Sequence, residues 1–369
     1  MSKKNVMSRY DLFVTIVVTV VGTSLFSYPR VLTEKIGTDG WFVIILSGII
    51  LLPFLYILCK AAKANKFKRL TEMLEDSLGS IIGRIVAIYI ALAGVFIISI
   101  EMRTFVEVIK MYLLDRTPTE FILFLMIIVG SFLVRGEIES VIKFNEIAFW
   151  LMFVPVILSI LFLLHKADFT NIFPVFTHSP IEYIKASQSS LYSLIGFGII
   201  YMILPLVNEK DDIFKVAFKS VAFIVVFYLV IFLSTLFVFP SNYNSKLLWP
   251  TITALSTVDI PGTFIERWEG LVMVFWIVFY FTTYVNILYF VSEIVKDVFQ
   301  LEDVKISVVL ILPFIYLLSL YPQNIAEVYD MRKRFVPFID TVVVGILPIV
   351  LLATGLTRGN NSRRKRNEV

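Results

Sequence analysis

The chain has 369 residues, of which 58% are hydrophobic and only 17% are charged, and its mean hydropathy is +0.85. Soluble globular proteins are about 45–50% apolar and about 25% charged, so this composition excludes an ordinary soluble domain. The single cysteine, Cys59, excludes an intramolecular disulfide and a cysteine-based metal site, and the net charge of +4 does not indicate nucleic acid binding.

Apolar segments recur along the whole chain, and most reach the ~20 residues that an α-helix needs to cross a bilayer. They lie near 11–32, 41–59, 82–112, 120–134, 144–164, 187–206, 217–239, 268–292, 306–320 and 335–356. Because unpaired backbone groups are costly in lipid and these segments are too long for barrel strands, they predict an all-α polytopic membrane protein with about ten transmembrane helices. The first segment lacks a cleavage site and is expected to remain as a span. One transmembrane bundle is expected over residues 1–369, with a basic cytoplasmic tail at 357–369.

Lysine and arginine are distributed unevenly between the two alternating sets of connecting segments. The set that includes both termini holds 20 of these residues, and the other set holds 10. Because positive residues are enriched in cytoplasmic connections, both termini are predicted to be cytoplasmic. Arg332, Lys333 and Arg334 break this trend, so either these side chains snorkel or the ninth span is misplaced.

Two of the connections are expected to form helices of their own. Residues 66–80 alternate charged residues with Leu and Met at helical spacing, which predicts an amphipathic helix on the cytoplasmic side with Thr71 as its candidate N-cap. Residues 240–267 contain Trp249-Pro250-Thr251 and Pro261-Gly262 with apolar positions between them, which predicts a packed outer helix. No polar connection is long enough for a soluble domain of about 50 residues.

The first span is predicted to break near its middle. Gly22, Thr23, Ser24 and Ser27 follow a run of β-branched residues, and Pro29 comes next. Glycine costs about 1 kcal/mol in a helix interior relative to alanine, and a break in lipid is tolerated only where it lines a cavity. The N–H groups at the start of the second half-helix would favour a carboxylate there by ~0.3–1 kcal/mol.

The sixth span is predicted to break as well, at Gly196-Phe197-Gly198. Two interrupted helices five spans apart are typical of secondary transporters built from a 5+5 inverted repeat. The two repeats are expected at about 11–164 and 183–356. Small residues also serve close helix packing in membranes, so the glycines by themselves leave that alternative open.

Charged side chains occur near the outer end of the third span. Glu101 must be protonated, paired or hydrated there, because a charge at the bilayer centre costs ~2.5–3.5 kcal/mol. It is either part of a polar path for water or ions, or a member of a salt-bridge cluster that fixes helix packing. Arg103 can pair with Glu107, four residues further on.

Thr282 and Thr283 lie in the middle of the eighth span, with Asn286 one turn further along. Their hydroxyls either contact a ligand or ion or bond back to their own helix, and both alternatives stay open. His165 and His178, in the outer connection before the sixth span, are expected to be solvated. The sequence contains no phosphate-binding loop and no nucleophile–base pair, which indicates that the protein is not an enzyme and uses no cofactor.

Several stretches of the chain resemble one family. They are Gly22-Thr23-Ser24-Leu25-Phe26-Ser27-Tyr28-Pro29-Arg30, Glu101-Met102-Arg103 with Leu113-Leu114-Asp115-Arg116-Thr117-Pro118, Phe173-Pro174-Val175, Trp249-Pro250-Thr251 with Phe264-Ile265-Glu266-Arg267-Trp268-Glu269, and Phe281-Thr282-Thr283. They occur in the right order over nearly the whole chain and are similar to the B subunits of spore germinant receptors. That family belongs to the amino acid–polyamine–organocation superfamily.

The resemblance implies a leucine-transporter-like fold and a role in sensing germinants. It implies that the protein binds a nutrient, usually an amino acid, in the spore inner membrane and acts with an A subunit and a lipoprotein C subunit. The ligand would lie among the first, third, sixth and eighth spans, at Gly22, Thr23, Ser24, Ile97, Ile195, Gly196, Thr282 and Thr283. An amino acid transporter of the same superfamily is the alternative. The bulk of the two isoleucines does not favour a large ligand side chain.

Overall fold

The computed structural model describes residues 6–22, 24–136, 138–194, 196–257 and 268–367, and within them the chain is almost entirely helical. Six helical stretches are long and apolar enough to cross a membrane, and two shorter apolar helices, Thr119–Val134 and Val304–Leu320, accompany them. The two remaining predicted spans, the first and the sixth, are interrupted. The prediction of an all-α bundle with about ten spans is confirmed.

The first five spans are formed by α1 (Arg9–Val20) with α2 (Ser24–Ile36), α3 (Gly40–Ala64), α5 (Ser80–Tyr112), α6 (Thr119–Val134) and α7 (Ile138–Leu163). A short helix, α4 (Leu70–Leu78), lies between α3 and α5 and packs against α5. We call the face that carries α4 and the start of α1 the inner face of the bundle, and the opposite face the outer face.

The second five spans are formed by α8 (Pro180–Leu194) with α9 (Ile200–Ile203), α10 (Ile213–Val238), α13 (Trp268–Phe299), α14 (Val304–Leu320), and α15 (Ile325–Asp340) with α16 (Leu347–Asn367). Two 3-10 turns, Phe197–Ile199 and Leu204–Leu206, flank α9, and a π-helix, Thr341–Ile346, joins α15 to α16. Two short helices, α11 (Ser241–Asn244) and α12 (Pro250–Ser256), lie on the outer face.

The sixth and tenth spans begin earlier than hydropathy predicts, at Pro180 rather than near 187 and at Ile325 rather than near 335. The first turns of these helices carry charged and polar residues that lower the local hydropathy although the backbone is already helical. Arg332 therefore lies within the tenth span, where its Nη1 is 2.9 Å from Glu101 Oε1. The ninth span occupies its predicted place. The ion pair with Glu101 accounts for Arg332 better than a snorkelling side chain or a misplaced ninth span does.

The connecting segments agree only in part with the prediction. The amphipathic helix expected within 66–80 is present as α4, but Thr71 is not its N-cap. Arg69 holds that position without a side-chain capping bond, and Thr71 Oγ1 instead donates to Asp297 Oδ2 at 2.8 Å. The outer helix is present as α12. The charged residues Glu266 and Arg267 lie outside the described residues.

The eighth span, α13, is the most deeply buried of the long spans. Its apolar window is 67% buried, whereas the values for the other five are 33–50%. It contacts α5, α7, α14 and α1, so it lies at the centre of the bundle. This position brings the middle of α13 against the interruption in the first span.

Candidate ligand site

The first span is interrupted between Val20 and Ser24, as predicted. At the break the Gly22 N–H donates to the Val20 carbonyl oxygen at 3.0 Å, not to a carbonyl four residues earlier. Gly22 also lies against the eighth span, because a Cβ atom at this position would be only 2.6 Å from Thr283 Oγ1. The absence of a side chain at Gly22 is therefore what allows this close approach.

Thr282 and Thr283 connect the eighth span to the last turn of α1. Thr282 Oγ1 lies 3.0 Å from the Val18 carbonyl oxygen and 2.8 Å from that of Phe279 in its own helix. Thr283 Oγ1 lies 3.1 Å from the Thr19 carbonyl oxygen and 3.4 Å from that of Phe279. Because a hydroxyl has one hydrogen, each threonine can donate to its own helix or to the first span. Both hydroxyls can therefore bond back to the Phe279 carbonyl oxygen of their own helix, and both can instead bond to the broken first span.

The sixth span is interrupted after Leu194, where α8 ends, and this break meets the first one. A Cβ atom at Gly196 would lie 2.9 Å from Val20 Cγ2. The two interruptions are therefore in direct contact through glycine, as close helix packing in membranes requires.

The predicted ligand residues are brought together in part. Four of them lie where the first, sixth and eighth spans touch, namely Gly22, Gly196, Thr282 and Thr283. Ser24 is the first residue of α2, and Ile97 is half-buried on α5 one turn before Glu101. Thr23 and Ile195 lie outside the described residues.

Aromatic side chains pack on the outer side of the first break. The ring of Phe26 lies 4.6 Å from that of Trp276, and Phe105 stacks on Tyr280 at 4.2 Å between ring centroids. Thr251 of α12 donates to the Leu25 carbonyl oxygen at 3.0 Å. The outer helix and the aromatic layer together close the site toward the outer face.

Two ion pairs lie beside this layer on the third span, and one of them joins it to the tenth span. The Glu101–Arg332 ion pair, at 2.9 Å, joins α5 to α15, and Arg103 pairs with Glu107 at 2.9 Å as predicted. Glu101 therefore has a packing role, which is one of its two sequence alternatives. Its other oxygen, Oε2, is buried without a hydrogen-bond partner among the described residues. The second alternative, a polar path for water or ions, therefore also has a physical basis.

A buried amide network lies on the inner side of the breaks. The Asn145 and Asn286 side chains donate to each other's oxygens at 2.9 and 3.2 Å, and Asn286 also donates to Thr19 Oγ1 at 2.8 Å. The network ties the first, fifth and eighth spans together. Sequence reasoning singled out Asn286 but missed Asn145, although an amide within an apolar span is a visible signal.

Two adjoining cavities lead from this network toward the inner face. The first is lined by Thr15, Asn145 and Asn286 and by apolar residues of the fifth and sixth spans. The second is lined by Arg69, Glu293 and Asp297, and both share Met202, Leu206 and Tyr289. The two cavities therefore extend from the inner face part of the way toward the site. Aromatic packing covers the outer side of the site. Among the described residues, no group of three or more His, Cys, Asp or Glu side chains is arranged to hold a metal ion.

The outer halves of the two broken helices are joined by a buried carboxylate. Asp39, between α2 and α3, is fully buried and accepts hydrogen bonds from the Phe176 and Thr177 N–H groups at 2.6 and 2.9 Å, from the Tyr183 hydroxyl at 2.8 Å and from His178 Nδ1 at 3.1 Å. Burial alone would raise the pKa of Asp39, but these bonds, with that of His178 the largest, outweigh it and lower the pKa.

The expectation that His178 is simply solvated is therefore wrong, because its ring is bonded to a buried carboxylate. His165 is exposed, as expected. Two more contacts link α2 to α8, from Tyr28 to Ser190 and from Lys35 to Ser189. The half-helices α2 and α8 are thus fastened to each other on the outer side of the site.

Comparison with solved structures shows the fold. The chain superposes on a Na⁺-coupled sialic acid symporter with a TM-score of 0.70 at 13% identity, covering 94% of this chain and 79% of that one. It superposes on MhsT in complex with L-phenylalanine with a TM-score of 0.68 at 17% identity, covering 95% and 89%. The 5+5 leucine-transporter-like fold expected from the two breaks is confirmed.

Comparison of sequences shows the family. The family model described as spore germination protein matches residues 6–328. Spore germination protein A2 of Bacillus subtilis (strain 168) is 29% identical over 336 residues, which cover 90% of this chain and 91% of that protein. Spore germination protein B2 of the same organism is 24% identical, covering 84% and 85%. This chain, an integral membrane protein, belongs to the permease-like family of spore germination proteins.

Proposed function

We propose that this protein is the ligand-binding B subunit of a spore germinant receptor and that its ligand is a small nutrient of the amino acid class. The observation that carries the proposal is the meeting of two helix breaks at the eighth span, in a chain of the germination family. Gly22 lies directly against Thr283 there, and Gly196 lies against Val20. MhsT, which shares the fold, is described as a complex with an amino acid.

The ligand would use the backbone groups that the breaks leave available. The N-terminal end of α2 carries a partial positive charge, which favours the ligand carboxylate. The Val18 and Thr19 carbonyl oxygens, which now accept from Thr282 and Thr283, are acceptors for the ligand ammonium group. Ser24, Ile97, Ile195 and Thr23 complete the proposed pocket.

Binding would act through a shift between conformations. The site is covered on its outer side, so a ligand that arrives from that side must bind a more open arrangement more tightly than this one. The changed surface would then be read by the A subunit and by the lipoprotein C subunit. Such a protein acts by conformational change, and we expect no enzymatic activity and no cofactor.

The placement in the cell follows the same proposal. The protein would reside in the spore inner membrane, with both termini and the inner face toward the cytoplasm. Its repeats would span about 11–164 and 183–356, followed by the basic tail at 357–369. The path that holds Glu101 would lie beside the ligand, within the same bundle.

The test is a germination screen in spores that rely on this chain, with its partner subunits, for their response to single amino acids. Gly22→Val should abolish the response or raise the effective concentration at least tenfold, because the added side chain occupies the contact with Thr283. Gly270→Val is the matched control, since no described atom lies within 4 Å of a Cβ at that glycine. A full response of the Gly22 variant at normal protein level would contradict the proposed pocket.

An amino acid transporter is the second candidate. It is favoured by the fold, which is shared with a Na⁺-coupled symporter, and by the cavities that lead from Asn286 toward the inner face. Proteoliposomes that contain this chain alone separate the two functions. Accumulation of a labelled germinant would favour transport, whereas binding without accumulation would favour the sensor.

A further inference from the structure

The tenth span contains a buried carboxyl group that the proposed ligand site does not use. Asp340, the last residue of α15, is only 8% exposed, and its Oδ2 atom is buried without a hydrogen-bond partner among the described residues. Buried polar atoms are nearly always hydrogen-bonded, and an ionisable residue inside a membrane helix is expected to have a function. The state of this carboxyl therefore needs a physical explanation.

The backbone changes its form immediately after this residue. Thr341–Ile346 form a π-helix between two α-helices, and π turns of this kind are frequent at functional sites. The π-helix also contacts the sixth span, because a Cβ at Gly198 would lie 3.4 Å from Val343 Cγ1. Asp340 is thus joined, through one turn of π-helix, to the residues that follow the break in the sixth span.

The charged groups near Asp340 do not favour a second carboxylate anion in addition to that of Glu101. Arg332, on the same span, interacts electrostatically with Asp340, but its Nη1 is paired with Glu101 Oε1 at 2.9 Å. On the third span, Tyr89 interacts with the Asp340 carboxyl and packs on Phe338 at 6.5 Å between ring centroids. The Tyr89 hydroxyl is itself buried without a partner among the described residues. An ionised Asp340 would place a second negative charge, besides that of Glu101, next to a single arginine in a poorly hydrated part of the bundle.

We propose that Asp340 is a proton-binding site: its carboxyl holds a proton in the closed arrangement described above and releases it when the tenth span moves against the third and sixth spans. An unpaired charge in the membrane costs ~2.5–3.5 kcal/mol even on the most lenient scale, and a bound proton removes that cost.

Infrared spectroscopy of the full-length protein in lipid tests this directly. A protonated carboxyl has a carbonyl stretching band separate from that of a carboxylate. We expect this band at neutral pH, and we expect it to shift when only the aspartates carry ¹³C in their side chains. The labelling separates the aspartates from Glu101, which stays unlabelled.

Two variants assign the band to one residue. Asp340→Asn should remove it, whereas Asp39→Asn should leave it. Asp39 is the matched control because it is also buried, but its carboxylate accepts hydrogen bonds from the Phe176 N–H at 2.6 Å and from the Tyr183 hydroxyl at 2.8 Å. Asp340→Asn resembles the protonated form, so its melting temperature should exceed that of the wild type by a margin that grows as the pH rises. The absence of a labelled band, or an unchanged band in Asp340→Asn, would overturn the proposal.

Discussion

Replacing Gly22 with alanine should push the first and eighth spans apart. The new Cβ would start 2.6 Å from Thr283 Oγ1, whereas ordinary contacts of this kind begin at 3.4 Å. Either the spans separate, or the Thr283 hydroxyl turns away and gives up its bond to the Thr19 carbonyl oxygen. Overpacking an interior costs about 1–3 kcal/mol, and a lost hydrogen bond costs about 1 kcal/mol. We therefore expect Gly22→Ala to lower the free energy of unfolding by about 1–3 kcal/mol.

A second substitution tests whether this contact is the cause. Thr283→Ala removes the hydroxyl oxygen but keeps the Cβ at 3.4 Å from the new methyl group, which is an ordinary distance. By itself it should cost about 1 kcal/mol, through the lost hydrogen bond. The Gly22→Ala/Thr283→Ala double variant should be about as stable as Thr283→Ala alone, because the clash is gone and the two changes are not additive.

The assay is unfolding of the purified protein in one detergent, followed by temperature and by denaturant. Gly270→Ala is the control, since it adds the same methyl group to α13 where no described atom lies within 4 Å. Two results would refute the reasoning. One is a Gly22→Ala protein as stable as the wild type, and the other is a double variant whose loss equals the sum of the single losses.

Three further changes test other contacts. Asp39→Asn should lower the free energy of unfolding by about 1.5–3 kcal/mol near neutral pH, because the fold stabilises the carboxylate. Since the pKa of Asp39 is lowered in the folded protein, the advantage of the wild type should disappear as the pH falls below about 4, and melting curves at several pH values measure this. Arg332→Gln should cost about 3–5 kcal/mol in the same assay, since it leaves Glu101 buried without its ion-pair partner, and adding Glu101→Gln should recover most of the loss. Asp297→Asn should loosen α4, which it holds through Arg69 and Thr71, and hydrogen exchange in residues 66–80 should become faster.

Each of these expectations has a result that would contradict it. For Asp39, that result is the same loss of stability with falling pH in the asparagine variant and in the wild type. For Arg332, it is a double variant no more stable than the single one. For Asp297, it is faster exchange in the wider bundle but not in α4, which would indicate a general loss of stability.

The number and order of the spans could be predicted from the sequence because the bilayer imposes a length and a polarity on every crossing helix. Hydropathy did not predict the residues at which the sixth and tenth spans begin. Their first turns are helical but polar, and hydropathy measures polarity, not backbone conformation. Arg332 shows the consequence, since it looked like a loop residue in the sequence and is an ion-pair partner inside a helix.

The two breaks could also be predicted from the sequence, since glycines and small polar residues at mid-membrane weaken a helix wherever they occur. The partners of the breaks could not. The contact of Gly22 with Thr283 joins residues far apart in the chain, and so do the amide pair of Asn145 with Asn286 and the bond of His178 to Asp39. Nothing in the local pattern around His178 indicates that a buried carboxylate comes within reach of its ring.

The sequence by itself therefore determined the class of protein, the order of its spans and the positions where two of them are interrupted, because those properties depend on residues that are neighbours along the chain. Only the tertiary structure decided which side chains meet at the interruptions, how the outer side is closed and where Asp340 lies. Those properties depend on the packing of one helix against another, and a sequence pattern that repeats along each helix does not specify which face meets which neighbour.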